Sequence, residues 1–188
     1  MESMVTMWFS ALLLLSPVHC QRPQQDLVTN LPGLNFPTNY SQYSGYLDLS
    51  NGHHYHYWLT ESMQSPDDDP VVVWLNGGPG CSSLYGLLYE LGPIHVYPNG
   101  SLYDNSQYAW NQHANILFLE SPICVGFSYQ DGLLNCTMND TSTANDNYDA
   151  MVKFLDKFPV YKESEFYITG ESYAGVYVPM MANNILKG

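Results

Sequence analysis

Three short apolar segments, in which polar and apolar residues do not alternate, set the strongest limit on the fold of this chain. Residues 71–75 read Val-Val-Val-Trp-Leu, residues 115–119 read Asn-Ile-Leu-Phe-Leu and residues 166–169 read Phe-Tyr-Ile-Thr. A strand that is buried on both faces has this continuous pattern, which is typical of sheets covered by helices. With the helical segments between and after them, these strands predict an α/β layered sheet.

Weaker signals predict the surrounding elements. Residues 21–39 indicate an extended arm, and residues 43–49 and 53–61 indicate two strands joined by a tight turn, in which Asn51-Gly52 supplies the positive φ values. Residues 83–91 predict a short helix. A longer helix ends before Pro159 and carries an apolar stripe at helical spacing, formed by Tyr148, Met151, Val152, Leu155 and Phe158.

The third apolar strand runs into the segment with the most specific chemistry, Gly170-Glu171-Ser172-Tyr173-Ala174. A strand, this motif and a following helix form the context of a nucleophile elbow, whose sharp turn requires small residues two positions either side of the serine. The elbow would place the Ser172 hydroxyl above the sheet and the Tyr173 N–H at a helix start, where it can meet a developing oxyanion. Taken alone, the segment is equally compatible with a serine in an ordinary turn.

Two further loops follow the other apolar strands. Residues 76–83 read Asn-Gly-Gly-Pro-Gly-Cys-Ser-Ser, and the adjacent glycines allow the main chain to direct N–H groups at a ligand. The loop lacks the lysine of a phosphate-binding loop, which argues against nucleotide binding. A hydrolase would use it as the other half of an oxyanion hole. The third loop, residues 120–129, begins Glu-Ser-Pro.

Charge excludes several classes of partner. The 188 residues include 18 acidic and 5 basic side chains, and the formal net charge is -13 at pH 7. Without a cluster of Lys or Arg, the chain is not expected to bind nucleic acid or an anionic membrane surface. An apolar share of 45% and this length suit one globular domain. The sequence predicts neither a cofactor nor a metal site.

The N-terminus predicts entry into the secretory pathway. Residues 5–15 are mostly apolar and precede Ser-Pro-Val-His-Cys, so we expect a signal peptide over residues 1–20 with cleavage after Cys20. The alternative is a buried N-terminal helix. The apolar stretch is too short to span a bilayer, and no later segment predicts a transmembrane anchor.

Cysteines and glycosylation sequons fit an oxidising compartment. Without Cys20, three cysteines remain, so at least one thiol lacks an internal partner. Four sequons occur, of which Asn139 and Asn99 lie in polar, turn-like surroundings, while the sequon at Asn135 has cysteine as its middle residue; the four residues are Asn39, Asn99, Asn135 and Asn139.

Together, the three loops resemble the serine carboxypeptidase family. The shared strings are residues 76–83, residues 120–122 with 126–129, and residues 170–175, in matching order and spacing. Residues 31–33, 43–46 and 56–58 extend the resemblance toward the lysosomal branch of the family. It covers residue 31 to the end of the chain. The resemblance implies an α/β-hydrolase fold, of which residues 21–188 form the N-terminal part, and a lysosomal or secreted protein.

The same resemblance implies a role for each matching residue. Ser172 would be the acylated nucleophile, and the N–H groups of Gly78 and Tyr173 would bind the oxyanion. The free C-terminal carboxylate of a peptide substrate would be held by Trp74, Asn76, Glu90 and Glu171. Two carboxyls held close together cannot both ionise at low cost, so one would keep its proton to higher pH and donate a hydrogen bond to that carboxylate, which favours acid conditions. Without the resemblance, Glu90 is better explained as part of a solvated helix face.

Three departures from the family pattern leave alternatives open. Ile123 and Cys124 stand where the family has small residues, and Cys81 would pair with a cysteine that lies beyond residue 188. Serine hydrolases of this fold carry an Asp and then a His after the nucleophile, and neither residue type follows Ser172.

We therefore expect the N-terminal part of a serine carboxypeptidase that is inactive alone, because a serine hydroxyl without a general base is a poor nucleophile. The alternatives are a serine-carboxypeptidase-like acyltransferase and a secreted, non-catalytic protein that binds a protein partner or a carboxylate ligand. The sequence does not identify protein partners.

Overall fold

The computed structural model describes residues 22–132 and 136–187. Within them the chain forms eight strands: β1 (Gln42–Asp48), β2 (His53–Thr60), β3 (Val71–Leu75), β4 (Ile94–Val96), β5 (Leu102–Asp104), β6 (Asn115–Leu119), β7 (Tyr129–Gln130) and β8 (Phe166–Gly170). Two α-helices follow the later strands, α1 (Asp140–Lys157) and α2 (Ala174–Ile185). A π-helical turn spans Gly86–Glu90, and single 3-10 turns occur at Gln24–Asp26, Ser106–Tyr108, Trp110–Gln112 and Pro159–Tyr161.

The main sheet has the order β1-β2-β6-β3-β8, and β7 pairs with β2. β2 pairs antiparallel with both β1 and β6, whereas β3 pairs in parallel with both β6 and β8. β4 and β5 form a separate hairpin. A mixed sheet with helices confirms the predicted α/β class, and its parallel part contains the three strands whose apolar pattern predicted it.

Both faces of the sheet centre are covered. Every residue of β3 and of β6 is buried. Val71, Val73 and Leu75 face a cluster that includes α1 and α2, while Val72 and Trp74 face a smaller cluster containing Leu87 and Phe118. The ends of β3 and β6 are therefore packed on both faces, and the loops that follow them start from buried positions.

Two predicted strand features are wrong in detail. The β1–β2 turn has a positive φ only at Gly52, not at Asn51, because the connection is a three-residue loop closed by a bond from the Leu49 N–H to the His53 carbonyl. β8 was expected to be buried on both faces, yet none of its residues is fully buried. Among the described strands it pairs with β3 alone, so it lies at the edge of the sheet.

The buried face of α1 also differs from the predicted stripe. Met151 and Phe158 are buried as expected, but Val152 is 43% exposed and the fully buried Phe154 and Ala150 take its place. The helix begins with a capping box in which the Asn139 side chain accepts the Ser142 N–H, and it ends at Lys157 before Pro159, as predicted. Among the described residues, no helix has the length and apolar character needed to cross a bilayer.

Candidate active site

The segment between β8 and α2 has the geometry of a strained turn. Ser172 has a φ of 57°, in the left-handed region that residues with a side chain rarely occupy, and its side chain is exposed. A Cβ atom on Gly170 would lie 2.5 Å from the Leu75 carbonyl oxygen and 2.6 Å from the Cβ of Ala174. Strand and helix approach so closely that only small residues fit two positions either side of Ser172.

The glycine loop after β3 packs directly against this turn. A Cβ on Gly77 would lie 2.4 Å from the Tyr173 nitrogen and 3.0 Å from the Ser172 Cβ. Gly78, the next residue, has a φ of 106°. Among the backbone hydrogen bonds of residues 22–132 and 136–187, neither the Gly78 N–H nor the Tyr173 N–H has an acceptor. The two donors implied by the resemblance are thus available beside Ser172, and their oxyanion role stays a prediction.

The four side chains implied for carboxylate binding lie together around Asn76, which is 2% exposed. Its Nδ2 group donates to Glu90 Oε2 at 3.0 Å and to Glu171 Oε1 at 3.2 Å. Its Oδ1 atom accepts the Trp74 indole N–H at 2.9 Å and the Gly86 N–H at 3.0 Å. Asn76 therefore bridges two carboxyl groups that lie 14 and 95 residues away from it in the sequence.

 Glu90 ends the π-helical turn and Glu171 belongs to the elbow, so the hydrogen bonds of Asn76 join the turn to the elbow.

Sequence reasoning missed the residues that support this site. The Asn76 N–H donates to the buried Ser83 Oγ at 3.1 Å. Glu120, which is fully buried at the end of β6, accepts bonds from the Ser82 hydroxyl in the glycine loop and from the Phe127 N–H in the third loop. Its place directly after a buried strand was the available signal, because a carboxylate there must find partners.

The Glu120 carboxylate is held ionised by its partners. Burial alone would raise the pKa of Glu120, but hydrogen bonds from His56, Ser82 and the Phe127 N–H outweigh burial and lower the pKa below its ordinary value. A Cβ on Gly126 would lie 1.7 Å from Glu120 Oε1, so this glycine is needed for the third loop to close over the carboxylate. Glu120 thus fixes the glycine loop, residues 76–83, and the third loop, residues 120–129, relative to each other.

The five histidines of the described chain have hydrogen-bond partners other than Ser172. His53 pairs with Asp146, His54 with Asp48, His56 with Glu120, His95 with Asn105 and His113 with Gln64. Among these residues no group of three or more His, Cys, Asp or Glu side chains could hold a metal ion. Within residues 22–132 and 136–187, no histidine is therefore placed to act as the base for Ser172.

The remaining predicted positions are the sequon asparagines and the proposed signal peptide. Asn39, Asn99 and Asn139 are exposed, so each is accessible to a glycan, and their glycosylation stays a prediction. Asn135 and the proposed signal peptide, residues 1–20, lie outside the described residues.

The cysteines divide into one pair and one thiol. Cys124 and Cys136 form a disulfide, and Cys81 is a free, exposed thiol within the described chain. Ile123, which departs from the family pattern, is 3% exposed and packs into the core that covers α1 and α2. Its bulk therefore fills the core and does not narrow an open groove.

Comparisons with known proteins give a consistent result. The sequence model of the family described as serine carboxypeptidase matches residues 32–188. A serine carboxypeptidase of Caenorhabditis elegans is 54% identical over 165 residues, and the lysosomal protective protein of Mus musculus is 51% identical over 165 residues. Each alignment covers 88% of this chain and 35% of the relative, so the chain spans about a third of the length of these relatives.

Among solved structures, the crystal structure of Kex1(delta)p, a prohormone-processing carboxypeptidase from Saccharomyces cerevisiae, is similar to this chain. The TM-score is 0.68 at 29% sequence identity, and the match covers 82% of this chain and 36% of that chain. The sheet described above therefore has the architecture of the corresponding part of an α/β-hydrolase fold.

Proposed function

We propose that this chain, which belongs to the serine carboxypeptidase family, carries the nucleophile and the carboxylate site of an enzyme that releases C-terminal residues from peptides. Ser172 attacks the scissile carbonyl and forms an acyl-enzyme, and the N–H groups of Gly78 and Tyr173 stabilise the oxyanion. The observation that carries the proposal is the left-handed φ of 57° at Ser172, beside two backbone N–H groups without backbone acceptors in the described chain.

The hydrogen-bond inventory around Asn76 supports recognition of a free carboxylate under acid conditions. The Asn76 amide group has two N–H donors, and both point to Glu90 and Glu171. The Trp74 indole N–H points to Asn76 Oδ1, and the Gly77 N–H points to Glu171 at 3.3 Å. An incoming carboxylate must therefore receive its hydrogen bond from a protonated Glu90 or Glu171, because ionised glutamates would repel it.

Attack by Ser172 also needs a general base. No Asp or His follows Ser172 among the residues of this sequence, and the described histidines are bonded elsewhere. We infer that the 188-residue chain by itself binds the peptide but does not turn it over. Binding and turnover can then be tested separately.

Binding is measured from the Trp74 indole resonance, because this N–H lies 2.9 Å from Asn76 Oδ1. At pH 5 a short N-acetylated peptide acid should shift this resonance, and the matching peptide amide should not. At pH 7.5 we expect the acid to bind at least about tenfold more weakly, the equivalent of about 1.4 kcal/mol. Equal binding of acid and amide would remove the carboxylate site.

Three variants sharpen the experiment. Glu171→Ala should abolish the preference for the acid. Glu171→Gln offers a permanent N–H donor, so binding should persist at pH 7.5. Glu163→Ala, at an exposed position, is the matched control and should behave as the unmodified chain. Release of the C-terminal residue by the unmodified chain would contradict the inferred lack of turnover.

The secretory pathway is the compartment we propose. The disulfide between Cys124 and Cys136 supports an oxidising environment. The mouse relative named lysosomal protective protein supports a lysosomal or secreted location, in agreement with the proposed signal peptide and sequons. Retention of the disulfide and a glycan at Asn139 or Asn99 in protein purified from secreting cells would test this proposal, and an unglycosylated, reduced product would contradict it.

A further inference from the structure

A second hydroxyl, imidazole and carboxylate stand in line on the outer strands of the sheet. Ser44 Oγ on β1 lies 2.9 Å from His56 Nε2 on β2, and His56 Nδ1 lies 2.9 Å from Glu120 Oε2. Ser44 pairs with Trp58 in the β1–β2 register and Tyr46 pairs with His56, so Ser44 reaches His56 diagonally on one face of the strand pair.

The direction of the protons follows from the Glu120 carboxylate. Its hydrogen bonds lower its pKa despite burial, so it is ionised and can only accept hydrogen bonds. In neutral His56 the proton must then lie on Nδ1, facing Glu120. This tautomer, assigned from the hydrogen-bond network, leaves a lone pair on Nε2, which accepts a hydrogen bond from the Ser44 hydroxyl. The order nucleophile, base and orienting carboxylate is that of a catalytic triad.

Ser44 is accessible from the surface, and this distinguishes the arrangement from a buried hydrogen-bond chain with a structural role. Ser44 is only partly buried, and it opens with His56 onto a surface groove of about 300 Å³. The walls of the groove are aromatic, formed by Tyr46, Trp58 and Phe127, and the Phe127 side chain is 63% exposed. Planar aromatic groups pack well against such walls.

We propose that Ser44, His56 and Glu120 form a second nucleophilic site that accepts the acyl group of small aromatic esters. Ser44 Oγ attacks the ester carbonyl carbon and forms a new C–O bond, while its proton passes to His56 Nε2. The bond to the aryloxide then breaks, and the aryloxide takes that proton and leaves as a phenol. The product is acylated Ser44, with Glu120 ionised throughout.

The position of Ser44 also limits the rate. It lies inside a paired strand, so no helix start follows it to supply an oxyanion donor, in contrast to Ser172. A missing oxyanion donor costs about 10²–10³ in rate. We therefore expect one slow acylation event with an activated ester, and no rapid turnover.

The test is incubation of the full chain with 4-nitrophenyl benzoate, followed by intact mass and peptide mapping. Ser50, exposed in the β1–β2 turn, is the internal reference in the same molecule. Because general-base catalysis contributes about 10²–10⁴-fold, Ser44 should be benzoylated at least about 100-fold faster than Ser50. Equal rates at the two serines would overturn the proposal, whether or not any variant folds.

Variants assign the reaction and separate it from the chemistry of Ser172. Ser44→Ala should lose the fast adduct, and His56→Gln should slow it about 100-fold. Ser172→Ala should leave it unchanged. A benzoyl group found only on Ser172 would overturn the second site while supporting the proposed function, and an adduct only on Ser44 would support the second site alone.

Discussion

Gly77→Ala tests whether the glycine loop and the elbow are packed as closely as the structure indicates. A Cβ at this position would lie 2.4 Å from the Tyr173 nitrogen, 2.8 Å from the Glu171 carbonyl oxygen and 3.0 Å from the Ser172 Cβ. Two of these atoms belong to the backbone and cannot rotate away. The φ of Gly77 is not among the positive values, so the substitution adds bulk without backbone strain.

The loss of stability caused by Gly77→Ala follows from the close contact that the new Cβ makes with the Tyr173 nitrogen. Ordinary contact to a Cβ begins near 3.4 Å, so the loop must move by about 1 Å from Tyr173. Overpacking of this kind lowers the free energy of unfolding by about 1–3 kcal/mol. With a urea m-value of about 2 kcal/mol per M, the unfolding midpoint should fall by about 0.5–1.5 M.

Urea unfolding followed by tryptophan fluorescence measures this shift. Gly175→Ala is the matched control, because a Cβ there meets no atom within 4 Å and the residue lies in α2. Alanine should stabilise this helix by about 0.5–1 kcal/mol. A Gly77→Ala midpoint equal to that of the unmodified protein, with Gly175→Ala behaving as expected, would refute the close packing of loop and elbow.

Three other outcomes follow from the structure. Asn139→Ala removes the capping bond at α1 and should cost about 1 kcal/mol in urea unfolding, while Asn139→Asp, which keeps the accepting oxygen, should cost much less. Reduction of the bond between Cys124 and Cys136, which are 12 residues apart, should cost about 2–4 kcal/mol in the same assay, and no change would contradict the pairing. The folded pKa of Glu120 lies below 4.5, so its ionised form contributes stability above pH 4.5 that is lost as the pH falls toward the folded pKa. The stability difference between the protein and Glu120→Gln should therefore shrink as the pH falls below 4.5, and a constant difference would argue against that role.

Local rules predicted the parts of the fold that depend on local pattern. β3 and β6 were predicted because burial on both faces leaves a continuous apolar run. The predicted face of α1 was partly wrong, because Phe154 packs against Tyr57 of β2 and against Phe158, and helical spacing alone does not reveal which neighbours a helix has. The β4–β5 hairpin was missed since its strands have only three residues each.

The same distinction holds for the site. Ser172 was identified from the small residues around it, since the turn constrains its neighbours in sequence. The bridging amide of Asn76 and the contacts of Glu120 join residues far apart in the chain, with Glu120 bound to His56 over 64 residues. Chain spacing carries no signal for such pairs. The sequence therefore assigned no role to His56, although residues 56–58 were part of the family resemblance.

The interior position of β3 in the sheet, between β6 and β8, has a consequence during synthesis. Both of its sheet neighbours come later in the chain, and the bond from the Thr169 hydroxyl to the Val73 carbonyl spans 96 residues. At about 5–20 residues per second, the ribosome needs roughly 5–20 s to deliver β8 after β3 has been made. For that interval an apolar strand exists without its full set of partners. A nascent chain of this kind therefore depends on a transient binding partner for β3, such as a chaperone, until β8 emerges.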